Sequence, residues 1–286
     1  KISSELDKPG RVGIRISMES KHLDSRFGIE FNSNNLKKII NIMNLYSLKK
    51  LDILHIHYPE RDIQSFRKKI DEVFSIFKIF QNNDIEILGI DIGGGFPSLM
   101  DKEMQLSLGL KKVSCIKEYA NTINELRAKY NLEKVKLLFE PGTAIASNSF
   151  HLVGNVHSIN HKEKNIYINT DLSRTLLGGL QNKTKYPISI IEKGNIPTNE
   201  NQISNKKLIL SGFSCVESDK IIWEDHQNKC PKINDMIMIS SIGSYSTVFK
   251  SPFIRGDLAL FKWDGNELTL SRRAQTARDV LSVYDQ

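Results

Sequence analysis

Cysteine is scarce in this chain, long apolar runs are missing, and no block of one-sign charge stands out. The three cysteines, Cys115, Cys215 and Cys230, lie far apart. That count and spacing exclude a disulfide framework and a cysteine zinc site, so no metal is expected and a reducing cytoplasm is. No apolar run approaches the roughly 18 residues a membrane helix needs. Residues Lys1 to Gly10 lack the apolar core of a signal peptide. Lysine and arginine number 40 against 33 aspartates and glutamates, but the basic residues are scattered. Without a basic stripe and interleaved aromatics, nucleic-acid binding is not expected. There is no internal repeat. What is present is ordinary globular material, 40% hydrophobic and 26% charged over 286 residues, enough for one large or two modest domains. Lys193 to Lys207 is polar and Asn-rich, and reads as a surface loop.

The centre of the pattern is Ile90-Asp91-Ile92-Gly93-Gly94-Gly95-Phe96-Pro97. An apolar run from Ile85 to Ile92 stops at three glycines, as a buried parallel strand does at a tight turn. Residues without Cβ allow positive φ and close approach of a ligand, and successive N–H groups can form an anion nest. The same stretch also reads as a strand-to-helix turn with no ligand. A second strand, Val135 to Glu140, ends in a carboxylate followed by Pro141-Gly142. Parallel strands that deliver chemistry at their C-terminal ends are the habit of a (β/α) barrel.

In chain order, Arg11 to Ser17 alternates and reads as a strand, with Arg15 either facing solvent or lining a barrel mouth. Ser25 to Ile29 reads as a loop. Asn34 or Asn35 caps a helix through about Tyr46. Leu51 to His57 is a strand, and Asp62 to Asn82 a helix whose phenylalanines face the core. Ser114 to Tyr130 is a further helix. This alternation implies parallel strands with right-handed crossovers. After Phe150 the texture becomes β-rich. Strands are expected at Leu152 to His157, Asn165 to Asp171, Lys207 to Gly212, Asp235 to Ser240, Ala259 to Trp263 and Glu267 to Ser271. The fold class is therefore α/β plus all-β: residues 1–149 as part of a barrel, residues 150–286 as a β-sandwich or β-barrel domain.

His55 and His57 share one face of a strand. His57, at the strand end, is the candidate site residue, and His55 is assigned to the core. Cys215 lies in a Gly/Ser loop ahead of Glu217 and Asp219. Tyr245, in Gly243-Ser244-Tyr245-Ser246, is either a turn residue or a phenol that reaches a phosphate.

The ordered series Gly13-Ile14-Arg15-Ile16, Ser25-Arg26-Phe27-Gly28, His55-Ile56-His57, Asp91 to Gly95, Glu140-Pro141-Gly142, Cys215 with Asp219, and Gly243-Ser244-Tyr245 resembles the ornithine/diaminopimelate decarboxylase family. Those are fold type III pyridoxal-phosphate enzymes on an alanine-racemase-like, TIM-like (β/α)8 barrel. The resemblance runs from about Val12 to the C-terminus. It implies pyridoxal 5′-phosphate as cofactor, with Gly93, Gly94 and Gly95 holding its phosphate by N–H and Tyr245 bonded to the same group. It implies His57 stacked on the pyridine ring, Glu140 paired with the ring nitrogen, and Arg15 bracing the ring. Cys215 would donate a proton to the substrate α-carbon and Asp219 would bind the far end of an amino-acid substrate. A homodimer with shared sites follows from the same resemblance.

Several positions depart from the family pattern. Thr143 stands where arginine usually follows Glu-Pro-Gly. His57-Tyr58-Pro59-Glu60 replaces His-x-Gly-Ser. Val216 replaces the acidic residue that often follows the cysteine. A substrate other than ornithine or diaminopimelate is therefore expected, such as a precursor in siderophore, polyamine or antibiotic synthesis. No lysine matches the family's Schiff-base lysine, which belongs to an earlier barrel strand. The chain is accordingly expected to be the C-terminal portion of the enzyme, with an open sheet edge and an uncovered apolar barrel interior. The alternatives are a non-catalytic regulatory relative and, on the same barrel, a racemase. The Cys215 loop favours decarboxylation over racemisation.

Overall fold

The computed structural model describes residues 10–18, 25–57, 60–96, 102–107, 114–177, 186–192, 206–223, 229–250 and 252–284. The chain divides into two compact units, Lys1–Ser149 and Phe150–Gln286. Most of the expected polar loop between Lys193 and Lys207 lies outside the described residues. Among the described residues no helix is long and apolar enough to cross a membrane.

The first unit runs β1 (Gly13–Ser17), β2 (Ile29–Glu30), α1 (Ser33–Leu45), β3 (Lys50–Ile56), α2 (Ile63–Gln81), β4 (Glu86–Asp91), α3 (Lys102–Ser107), α4 (Ile116–Tyr130), β5 (Lys136–Leu138) and α5 (Gly142–Ala146). The strands form one parallel sheet in the order β2-β1-β3-β4-β5. Ile29 and Glu30 pair with the end of β1, so the segment expected to be a loop ends as a short edge strand. The cap of α1 is Asn32, not Asn34 or Asn35: its side chain accepts the Asn35 N–H at 2.9 Å. Asp62 caps α2 by accepting the N–H groups of Ser65 at 2.9 Å and Gln64 at 3.1 Å. A side-chain acceptor at this position satisfies donors that the first turn cannot.

Register explains how the sheet divides its labour. Ile14, Leu54, Ile90 and Leu137 form one row across β1, β3, β4 and β5. With Ile16, Ile56 and Ile92 they join the apolar core, together with Phe66, Ile70, Val73, Phe74, Phe77 and Phe80 of α2. The next row, Arg15, His55, Asp91 and Leu138, points to the opposite face, because side chains alternate along a strand. Gly13, Ile53, Gly89 and Lys136 form the row before it and line a shallow hollow. This face is mixed, carrying Arg15, His55, Asp91 and Lys136 beside Ile53 and Leu138.

Helices α2 and α4 meet through rings, with Phe66 edge-on to Tyr119 at 4.8 Å. The flanking ion pairs, Arg67–Glu125 at 2.7 Å and Lys129–Asp71 at 2.6 Å, are more than one third exposed and contribute little.

The second unit contains β6 (Leu152–His161), β7 (Asn165–Thr170), β8 (Ile188–Ile191), β9 (Lys207–Ser211), β10 (Lys220–Trp223), β11 (Met236–Ile239), α6 (Ser246–Phe249), β12 (Leu260–Trp263), β13 (Leu268–Arg272) and α7 (Ala277–Leu281). Six strands make one sheet, ordered β10-β9-β7-β6-β11-β8, and β12 and β13 make a separate hairpin. The β7–β9 pair is parallel and the other pairs are antiparallel. Leu208, Leu210, Ile166, Ile168, Ile237 and Ile239 centre its core. β8 and β10, four residues each, are not among the strands expected from the sequence.

Phe74 is fully buried and meets Tyr130 edge-on at 6.1 Å. Phe74→Ala is expected to lower the unfolding free energy by about 3–5 kcal/mol. Denaturant midpoints measure this, and a change below about 1 kcal/mol would contradict the packing described.

Candidate active site

The site in the first unit grows from the ends of three strands. β3 ends at Ile56 and hands over to His57. β4 ends at Asp91 and hands over to Ile92 and the glycines. β5 ends at Leu138 and hands over to Phe139 and Glu140. The β4–β5 ladder continues past the strand ends, with Ile92 N–H donating to Leu138 O at 3.1 Å and Glu140 N–H to Gly93 O at 3.0 Å. Gly93 has φ +65° and Gly95 φ +93°, both in the left-handed region. A Cβ at Gly93 would stand 2.6 Å from Ile56 O and 2.9 Å from His57 Nδ1. One at Gly94 would stand 2.6 Å from Glu140 O. The glycines are therefore required both by conformation and by contact with both neighbouring strands.

Their N–H groups are not equivalent. Gly93 N–H donates to Asp91 Oδ1 at 2.8 Å, and Gly94 N–H donates to His57 Nδ1 at 3.3 Å. Gly95 N–H has no acceptor among the described residues. The expectation that all three N–H groups are available to a phosphate is corrected. One is available as the turn stands, one is held by a long bond to a histidine, and one is committed to its own aspartate.

Glu140 is half-exposed and faces two imidazoles. Its Oε2 lies 3.6 Å from His57 Nδ1 and 3.8 Å from His55 Nε2. His55 is therefore a site residue rather than a core one, and its buried Nε2 has no hydrogen-bond partner. The signal was present in the sequence, since residues two apart on a strand share a face. The ligand atoms of His55, His57 and Glu140 all lie within 4.8 Å of one another, a donor set that a divalent cation would also accept. Arg15 occupies the register position beside His55, with its guanidinium 5.0 Å from the centre of the Phe27 ring. Burial, then the charges of Lys69 and Arg15, hold His57 below its ordinary pKa, and Glu140 works against them. The neutral imidazole is thereby favoured near neutral pH.

In the second unit Cys215 and Tyr245 are exposed. Tyr245 adopts φ +64°, a conformation costly for a bulky side chain and common at functional sites. Asp219 is different. It is buried, and its carboxylate accepts from the Ser173 hydroxyl at 2.9 Å, Arg174 N–H at 2.7 Å, the Ser214 hydroxyl at 2.6 Å and Ser214 N–H at 3.2 Å. Both oxygens already have partners within the chain. Asp219 pins the loop that carries Cys215.

The profile of the family described as "Pyridoxal-dependent decarboxylase, pyridoxal binding domain" matches residues 3–147, just over half of the chain. The chain belongs to that family. It is 23% identical over 205 residues to ornithine decarboxylase 2 of Drosophila melanogaster, covering 70% of this chain and 48% of that protein. It is 23% identical over 296 residues to diaminopimelate decarboxylase of Neisseria meningitidis, covering 99% of this chain and 68% of that protein. The structure of Helicobacter pylori diaminopimelate decarboxylase complexed with L-lysine superposes with a TM-score of 0.76 at 18% identity, covering 99% of this chain and 69% of that one. The chain thus spans about half to two thirds of the length of these decarboxylases.

Pyridoxal 5′-phosphate is the cofactor of this family, and the residues present fit it. The donor set offers an outward N–H for an anion, an imidazole face half-open to solvent, and a carboxylate aimed at the same space. A Cβ at either Gly93 or Gly94 would close the turn onto the neighbouring strand ends. Sequence reasoning missed one further residue. Lys69 is 1% exposed on the apolar face of α2, and its ammonium donates to Ile92 O at 3.0 Å and Gly94 O at 3.4 Å. A lysine spaced among Phe66, Ile70 and Val73 at core positions was the available sign.

His57 is expected to titrate below 6.5 in the folded protein, followed by its imidazole proton resonances. Glu140→Gln removes a charge that favours the protonated ring, so the midpoint should fall further. A rise in that variant would show that the Glu140 charge does not act on His57.

Proposed function

We propose that this protein is a pyridoxal 5′-phosphate-dependent amino-acid decarboxylase, a carbon–carbon lyase acting on a diamino acid or a related siderophore, polyamine or antibiotic precursor. The observation that carries the proposal is the placement of Glu140. Its backbone is tied to the glycine turn, and its carboxylate is held in front of the imidazoles of His55 and His57, the latter with a lowered pKa. When bound, the cofactor supplies an electron sink for the pair left behind as CO₂ departs. Glu140 would hold a proton at the ring nitrogen, because a carboxylate favours the charged form of a basic nitrogen beside it. His57 would pack against the ring face, with Arg15 beside it. Gly95 N–H, and Gly94 N–H once released from His57, would bond the phosphate. The Tyr245 hydroxyl would bond that phosphate as well. The Cys215 thiol would deliver a proton to the substrate α-carbon.

A cysteine on an exposed loop pinned by Asp219 suits delivery of a proton to a bound substrate. Thr143, Val216 and the His57-to-Glu60 segment leave the substrate's side-chain class open within the amino acids. Homodimerisation is part of the same proposal. Phe261 pairs with Leu270 and Trp263 with Leu268 across the β12–β13 hairpin, and all four are more than half exposed. An apolar face of that kind is usually covered in an assembly.

In the protein at its full encoded length, Glu140→Gln should reduce CO₂ release from its amino-acid substrate by about a hundredfold or more. Pyridoxal 5′-phosphate should still bind, as followed by absorbance. Unchanged turnover would remove Glu140 from the chemistry. Cys215→Ala should still release CO₂ but yield the amine product slowly or alongside an aldehyde by-product. A variant that gives only amine at the normal rate would dismiss the thiol as proton donor.

A further inference from the structure

The buried lysine beneath the glycine turn has no part in the chemistry above. We propose that Lys69 is the positioning residue of the phosphate seat, clamping the turn so that Gly95 N–H faces outward and setting a positive charge beneath it. The inference rests on the cofactor reading above and adds to it the group that orients the phosphate-binding backbone.

The geometry follows from the peptide unit itself. No cis peptide bonds occur among the described residues. In a trans peptide the C=O and the following N–H point in opposite directions. Lys69 holds Gly94 O, so Gly95 N–H is turned away from α2 and from the core. Lys69 also holds Ile92 O, so Gly93 N–H is turned the same way and meets Asp91 Oδ1. One ammonium thereby fixes both peptide planes that flank the turn. An ionised donor on a carbonyl also polarises its peptide, which strengthens the N–H at the other end.

The ammonium is kept in a box that water does not reach. It lies 4.9 Å from the centre of the Phe66 ring and 5.7 Å from that of Phe96. Such ring faces stabilise a desolvated cation. Burial draws the Lys69 pKa down to about 8, and the Asp91 carboxylate works against that. Near neutral pH the residue therefore still carries its charge. That charge already reaches the neighbouring strand end, since it lowers the pKa of His57. A purely packing role would be served by methionine, which is isosteric, apolar and free of the cost of burying an ammonium. A charged group retained at such a position points to an anion on the other side of the turn.

The test uses the full-length protein with Lys69→Met and Lys69→Gln, each checked for native circular dichroism. Dissociation constants would be measured by fluorescence titration for pyridoxal 5′-phosphate, for pyridoxal without its phosphate, and for inorganic phosphate. Lys69→Met is expected to weaken pyridoxal 5′-phosphate and phosphate by about tenfold or more, in line with loss of hydrogen bonds from a charged group, while leaving pyridoxal within about twofold. Lys69→Gln keeps N–H donors for the carbonyls without the charge, and should lie between Lys69→Met and the parent. If the parent binds both phosphate compounds and both variants bind them equally well, the role of Lys69 is overturned while the cofactor reading stands. Equal loss for pyridoxal and its phosphate would also overturn it, by revealing a general structural role. If the parent itself binds neither phosphate compound, the cofactor reading fails first, and the inference with it.

Discussion

The close approach of the glycine turn to the strands on either side of it is the constraint on which the first unit depends. Gly93 and Gly94 bring backbone to within a Cβ of Ile56 O and Glu140 O. Because of that approach, one hydrogen bond from Glu140 N–H to Gly93 O extends the sheet beyond β5. The extension in turn places the Glu140 carboxylate opposite His55 and His57. Any side chain at either glycine would push the strand ends apart and move the carboxylate with them. The glycine turn and the Glu140 carboxylate are therefore one structural element, stabilised by the same backbone contact.

The sheet's two faces serve separate purposes. The row that includes Leu54 and Ile90 shares its core with Phe66, Phe74, Phe77 and Phe80 of α2. The alternating row that includes Arg15, His55 and Asp91 stays open and polar. Stability and chemistry are thus carried by opposite sides of the same strands, a division that the period-two geometry of a strand makes possible. Lys69 crosses that division. It belongs to the core face by position and burial, yet its ammonium reaches the carbonyls of the turn from below. Asp219 performs a comparable service in the second unit, where one buried carboxylate organises the loop bearing Cys215.

Much of this was legible in the sequence. The period of Phe66, Ile70, Val73, Phe74 and Phe77 marked α2 and its core face, since helical spacing leaves one unbroken apolar stripe. The apolar run before three glycines marked β4 and its turn. The order of short motifs pointed to the family, because the motifs lie in or beside successive strands and strand order along the chain is fixed. The misjudged elements were short or depended on partners. β2, β8 and β10, of two to four residues, are not among the strands expected from the sequence. The position of the α1 cap differed by two or three residues because several asparagines compete there.

By itself, then, the sequence determined the alternating α/β half, the β-rich half, and the membership of Arg15, His57, Glu140 and the glycines in one set of strand ends. Those features follow from local periodicity and from residue types whose backbone preferences are strong. Tertiary structure alone decided which groups face each other. It turned His55 from a core assignment into a partner of Glu140, and reduced three candidate N–H donors to one freely available. It also engaged Asp219 within its own loop and brought Lys69 beneath the turn. Each of these is a contact between residues distant in sequence. Such contacts depend on the register of neighbouring strands and on which peptide groups remain unpaired after folding, and neither is encoded in any single stretch of the chain.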